Sequence, residues 1–229
     1  MDLELKKGHK TAILLGATGL VGQHCLKLLI AHDAYDHIVC LTRRPLNNKS
    51  NKIINEVIDF TDLDEYASLL SGDDLFLCLG TTKSKAGSKR AFYEVDFTYN
   101  YKVAMHAKKN GVSQVLLISS VGANPTSLFF YTRVKGELEK TIKEIGFWST
   151  HIFRPSLLKG EREEPRLKEG LAVIVGKSIN LLTKGGLQNL TPVDAKLVAE
   201  AMINAAQKFK KGINYYESHQ LSGLVSHDR

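Results

Sequence analysis

A chain of 229 residues has room for one α/β domain with a large core, and is too short for a second core of similar size. Its 43% hydrophobic content is that of a globular protein. No apolar run reaches membrane-spanning length and the first ten residues lack an apolar signal core, so a cytoplasmic protein with no membrane contact is expected. The net charge of +7 is spread along the chain. Its densest loop, Lys83, Lys85, Lys89 and Arg90, reads as a solvated face or as a collector of an anionic ligand. Cys25, Cys40 and Cys78 are odd in number and sit in apolar segments, the pattern of buried thiols in a reducing compartment. The histidines are scattered without ligand spacing, and no metal site is expected.

The first element is an apolar strand, Thr11 to Leu15, followed by Gly16-Ala17-Thr18-Gly19-Leu20-Val21-Gly22 and an apolar helix. Val21, Cys25, Leu28 and Leu29 fall on one helical face. The three glycines have separable uses at such a junction. Gly16 takes the tight turn, Gly19 lets a pyrophosphate approach the backbone, and Gly22 lets helix and strand pack closely. The start of the helix, with Thr18, Leu20 and Val21 around it, offers unpaired N–H groups and a positive dipole end to phosphates. A dinucleotide site is the expectation; a purely structural turn is the alternative.

The second strand, His37 to Leu41, runs into Thr42-Arg43-Arg44-Pro45. A carboxylate at this position would bond a ribose 2′-hydroxyl, whereas arginine suits a 2′-phosphate. A guanidinium holds a phosphate bidentately and stacks on adenine, so Arg43 and Arg44 favour NADP over NAD. Ile53 to Ile58 is a third strand, after which Asp59 and Phe60 either meet the adenine or begin a helix that Asp59 caps. A fourth strand from Asp74 delivers Leu79, Gly80 and Thr81 to the carboxyl edge of the sheet, beside the cofactor's ribose and phosphates. A helix from about Ala91 to Asn110 ends at Asn110-Gly111, and a fifth strand, Val112 to Ser120, closes in Ser119-Ser120. This alternation predicts a doubly wound parallel sheet, a Rossmann fold, with right-handed crossovers that bring these strand ends to one edge.

Eleven residues beyond Ser120, on an amphipathic helix, stand Tyr131 and Lys135. Four apart, they are neighbours on one face. A carbonyl that receives hydride at carbon must receive a proton at oxygen, and a phenol can donate it. A free phenol, with a pKa near 10, holds its proton about three units too tightly for easy exchange at neutral pH. An ammonium one turn away favours the phenolate, and Lys135 can also bond the nicotinamide ribose while Ser120 holds the substrate oxygen.

These motifs resemble the short-chain dehydrogenase/reductase superfamily in its extended or atypical branch. Gly16 to Gly22, Ser119-Ser120, Tyr131 with Lys135, and Arg154-Pro155-Ser156 match that branch in order. Cys78 to Ser88 and Tyr131 to Glu137 are similar, more narrowly, to the Tat-interacting-protein-like oxidoreductases and their bacterial, epimerase-like relatives. The resemblance implies an NADP-binding Rossmann domain with a Ser-Tyr-Lys triad, Ser120 in the serine place and Ser119 the alternative. It also implies that Arg154-Pro155-Ser156-Leu157-Leu158 line the nicotinamide end. Two departures stand out. Asp96 occupies the place where many members carry Asn, and nucleotide-sugar epimerases of this type are much longer.

The remainder is a sixth strand, Thr150 to Phe153, and a mixed stretch, 159–189, read as a small substrate lid or a homodimer surface. A last helix starts at Thr191-Pro192-Val193-Asp194 and runs through Ala206, with Asp194 as its cap. Ser222 to Arg229 has no readable structure. The whole, 1–229, is expected to be one NADPH-dependent oxidoreductase domain acting on a small carbonyl or alcohol. The rival reading is a non-catalytic NADP sensor that binds a protein partner. Nucleic-acid binding is weaker, since no aromatic-rich motif accompanies the basic charge.

Overall fold

The computed structural model describes residues 9–160 and 191–225. Its strands are β1 (Lys10–Leu15), β2 (Tyr35–Thr42), β3 (Ile53–Val57), β4 (Asp74–Leu77), β5 (Gln114–Ile118), β6 (Ser149–Arg154), β7 (Leu158–Lys159), β8 (Val193–Asp194) and β9 (Gly212–Glu217). Seven of them form a parallel sheet in the order β3-β2-β1-β4-β5-β6-β9, and β7 pairs with β8 apart from it. The middle strands are covered on both faces, which is why they read as unbroken apolar runs. Ile13, for example, lies between Val39 and Leu75, and Leu14 between Cys40 and Phe76.

Two apolar layers clothe the sheet. On one side α1 (Gly22–Ala31), α6 (Ala195–Ala206) and α7 (Leu221–Val225) bury Cys25, Leu29, Val198, Met202 and Leu221. On the other, a 3-10 helix (Phe60–Leu69), α4 (Tyr99–Lys109) and α5 (Phe130–Ile145) bury Leu63, Val103, Leu138 and Ile142. Local chemistry sets the helix ends. Ser88 accepts a hydrogen bond from Ala91 N (3.1 Å) at the start of α3 (Lys89–Tyr93), which follows the short α2 (Lys83–Ala86). Asp194 accepts from Lys196 N (2.7 Å), as its sequence position suggested. Gly146 ends α5 at φ +74°, the left-handed conformation glycine takes without strain.

The helix expected over Ala91 to Asn110 is continuous but not uniform: α3 passes through a π turn, Glu94–Thr98, into α4. On α1 the buried face holds Leu26 in place of Leu28, which is only half-buried. Residues 161–190, most of the expected lid, lie outside the described residues. Neither α2, within the stretch read as a basic loop, nor the short β7–β8 pair was anticipated, and two further elements near the end of the described residues were missed. Strand β9 is an edge strand whose Asn214 and Tyr216 face inward while Ile213 and Tyr215 stay exposed, and α7 occupies part of the stretch read as structureless. Its Leu221 is fully buried and Leu224 packs on the same cluster, an anchoring too short to show a helical period in sequence. Strand order reverses between β1 and β4, so a crevice opens beyond their carboxyl ends, where such sheets bind ligands.

Candidate active site

The glycine turn does two of its three expected jobs visibly. Gly16 has φ +89°, and a Cβ there would lie 2.6 Å from the backbone of Cys78 and Leu79, so only glycine lets β1 turn beside the end of β4. A Cβ on Gly22 would lie 2.0 Å from Gly16 O, which makes it the close-packing glycine of α1. Gly19 N donates to Gly16 O (2.9 Å), closing the turn, and a Cβ on Gly19 would reach 3.1 Å from that same oxygen. Backbone without a side chain therefore faces the crevice at the start of α1, a cradle that fits a dinucleotide pyrophosphate.

Beyond the turn lies a cleft of about 720 Å³. It is lined at the turn by Thr18, Gly19, Leu20 and Val21, and at one end by Arg43 and Arg44 from the exposed segment after β2. Leu79, Gly80 and Thr81 from the end of β4 line its middle, and Ser120, Tyr131, Lys135 and Ser156 the other end. Most of the site residues read from the sequence, Leu157 and Leu158 among them, thus converge on one cavity. Others are placed off its lining, Arg154 among them, which is turned to Glu139. Gly16 and Gly22 sit behind the turn they shape, and Phe60 is buried in the apolar layer. Pro155 O accepts from Val121 N (3.0 Å), and Asp59 accepts from Thr61 N (2.9 Å) as the cap of the 3-10 helix. That bond holds the exposed Asp59 carboxyl below its ordinary value.

The far end is built on α5, where Tyr131, Lys135 and Glu139 recur every fourth residue along one face. Tyr131 is half-buried, held edge-to-face against buried Phe92 (5.9 Å between centroids). Lys135 is buried, and its Nζ lies 2.8 Å from Asp96 Oδ1. Burial alone would lower the Lys135 ammonium, but Asp96 first, then Tyr131 and Glu139, outweigh it and hold it above its ordinary value. The charge of Lys135 is therefore matched by that of Asp96. Asp96 Oδ2 in turn accepts from Thr81 N (2.7 Å), joining the lysine to the end of β4.

The two serines point to different work. Ser119 Oγ donates to Glu139 Oε1 (2.5 Å), and Arg154 grips the same carboxylate through Nε (3.0 Å) and Nη2 (2.6 Å). Ser120 Oγ has only a long bond to Val121 O (3.3 Å). Ser119 N donates to Phe153 O and Val121 N to Pro155 O, so the serine turn extends the pairing of β5 with β6. Sequence reading missed Glu139 and the partnership of Asp96, whereas Leu157 and Leu158 line the cleft as expected. Glu139 had a signal: it lies four residues past Lys135 on the face already singled out. Cys78, also on the lining, has its Sγ 3.9 Å from that of Cys25. That contact and burial raise its thiol, and burial pushes Cys40 up to about 12.

A model of the NAD dependent epimerase/dehydratase family matches residues 12–133, from β1 to the helix that carries Tyr131. The chain belongs to that family. Among its relatives, "Protein FMP52, mitochondrial" of Candida albicans is 39% identical over 213 residues, covering 89% of this chain and 90% of its own. "Protein HTATIP2" of Rattus norvegicus is 39% identical over 173 residues, 74% of this chain and 71% of its own, in line with the narrower resemblance read from the motifs. Among solved structures, the Bordetella bronchiseptica enzyme WbmH in complex with NAD+ shares the fold at TM-score 0.69 and 15% identity, over 91% of this chain and 76% of that one. One expectation is overturned. The fungal FMP52 relatives are named mitochondrial, which conflicts with the cytoplasmic location inferred from the sequence. An absent apolar signal core speaks to secretion and does not separate cytosol from mitochondrion. Among the described residues no helix is long and apolar enough to cross a membrane.

Proposed function

We propose that this family member is an NADPH-dependent oxidoreductase acting on a small carbonyl or alcohol. The observation that carries the reading is the convergence of the glycine turn, the end of β4 and the Ser120/Tyr131/Lys135 set on one cleft. In this reading Thr18 to Val21 and the N-terminus of α1 hold the pyrophosphate. Leu79, Gly80 and Thr81 lie along the sugars, and Lys135 bonds the nicotinamide ribose. Arg43 and Arg44, with no carboxylate at the end of β2, favour a 2′-phosphate and hence NADP over NAD. The bound nicotinamide supplies or accepts hydride. Ser120 Oγ orients the substrate oxygen, and the Tyr131 phenol gives that oxygen its proton on reduction or takes it on oxidation. Ser156, with Leu157 and Leu158, borders the substrate end.

A set of three intact reacting side chains on the lining favours catalysis over a purely sensing role. The test is calorimetric titration with NADPH and with NADH, then turnover of a carbonyl panel by wild type and Tyr131→Phe. NADPH should bind more tightly than NADH, and Tyr131→Phe should lose about 100-fold or more in turnover while keeping its NADPH affinity. Normal turnover by Tyr131→Phe would remove the phenol from the mechanism. Failure to bind either nucleotide would remove the oxidoreductase.

A further inference from the structure

Asp96 is the only carboxylate among the described residues that line the cleft, which also carries Lys27, Arg43, Arg44, Lys85 and Lys135. We infer that Asp96 sets the charge at the reacting end, cancelling Lys135 so that an oxidised, cationic nicotinamide ring binds there as readily as a reduced, neutral one. This deepens the cofactor role proposed above and rests on it.

The chain goes to some length to place this carboxylate. Asp96 sits in the π turn Glu94–Thr98, where the helical register slips by one residue, a feature that recurs at functional sites. Asn100, fully buried, ties the turn down: its Nδ2 lies within bonding distance of Leu79 O (3.3 Å), Val95 O (3.0 Å) and Asp96 O (3.4 Å). The Asp96 side chain then spans from Thr81 N to Lys135 Nζ, at 2.7 and 2.8 Å. Gly80 leaves room for it, since a Cβ there would lie 3.3 Å from Asp96 Oδ1 and 3.6 Å from Lys135 Nζ. Both charges are sealed from water, with side-chain exposures of 1% and 6%. Among the described residues no other carboxylate near Lys135 is free to do this. Glu139 is engaged by Arg154 and Ser119, and the remaining titratable neighbour is Tyr131.

A neutral pair at the reacting end, beneath a basic phosphate end, separates two tasks. Affinity comes from the cations around the phosphates, and tolerance of both redox forms comes from Asp96. Asparagine has the same shape as aspartate and retains an acceptor for Thr81 N, so Asp96→Asn removes the charge and leaves Lys135 an uncompensated cation. NADP+ and NADPH share their phosphate and ribose contacts and differ by one positive charge on the ring. The ratio of their affinities therefore isolates the electrostatic effect, whatever contact Lys135 makes to the sugar.

The experiment is calorimetric titration of wild type, Asp96→Asn and Lys135→Met with NADP+ and, separately, NADPH. Asp96→Asn should weaken NADP+ relative to NADPH by about tenfold, an unscreened charge in a low-dielectric cleft being worth at least that. Lys135→Met, which leaves the carboxylate alone, should move the ratio the opposite way, and it decides the matter if Asp96→Asn fails to fold. A ratio equal to that of wild type in either folded variant overturns the role of Asp96 and leaves the cofactor reading intact. A wild-type protein that binds neither nucleotide overturns both.

Discussion

The ion pair behind the serine turn makes an asymmetric prediction. Glu139 is buried, its side chain 4% exposed, whereas Arg154 is 26% exposed, lies 3.5 Å from Glu217 through Nη1, and stacks on the Tyr215 ring at 4.5 Å. Breaking a buried pair by removing one partner ordinarily costs about 3–5 kcal/mol, most of it from the charge left behind. Arg154→Met strands a carboxylate with one serine hydroxyl for company, and should cost about 4 kcal/mol. Glu139→Gln strands an arginine that can turn to Glu217 and to water, and should cost about 2 kcal/mol. Replacing both, Glu139→Leu with Arg154→Met, removes both charges and should return stability to within about 1–2 kcal/mol of wild type, the remainder being the lost acceptor of Ser119.

Urea unfolding followed by far-UV circular dichroism measures all three, with equal slopes required for a fair comparison. Equal losses in the two single variants, or a larger loss in Glu139→Gln, would refute the argument that burial of the stranded charge decides the cost. The double variant has a second use. Its fold returns while Ser119 loses its acceptor, so a fall in turnover there reports the positioning of the serine turn apart from stability.

Replacing Arg43 and Arg44 together by alanine should weaken NADPH binding by about tenfold or more and NADH binding much less, since only NADPH carries the extra phosphate. Equal losses by calorimetry would dismiss the 2′-phosphate role. His151, buried and bonded to Ser149, Gln114 and Tyr216, is held down to about 4 by burial first and by Lys210 second. The unfolded chain takes up this proton near pH 6.5, before the folded one does. Its contribution is therefore full above about pH 6.5 and is lost as pH falls to about 4, where stability should be about 3 kcal/mol lower; His151→Gln should flatten that part of the urea-midpoint profile. Gly22→Ala should destabilise by about 3 kcal/mol despite a better helix propensity, because its Cβ meets the Gly16 carbonyl at 2.0 Å and neither backbone can yield cheaply; an unchanged melting temperature would count against that packing.

What could be read in advance follows the range of the interaction that encodes it. The inner strands β1, β4 and β5 announce themselves because a doubly covered parallel strand is a largely apolar run, and the glycine turn because each glycine answers a local backbone need. Tyr131 and Lys135 were legible as a pair because the helix itself sets their spacing. β9 was not, since half of its side chains face water and its pairing partner β6 lies about 60 residues away in sequence. The same limit hid the pairing of Asp96 with Lys135. Nothing within a helical turn of either residue signals it: the contact arises from a one-residue slip in the helix before β5 meeting the helix after it. A resemblance marked position 96 as a departure from asparagine, but only the fold shows what an aspartate does there. It converts the lysine from a cation available to a phenol into half of a neutral pair, and any account of proton transfer by Tyr131 has to begin from that neutral pair.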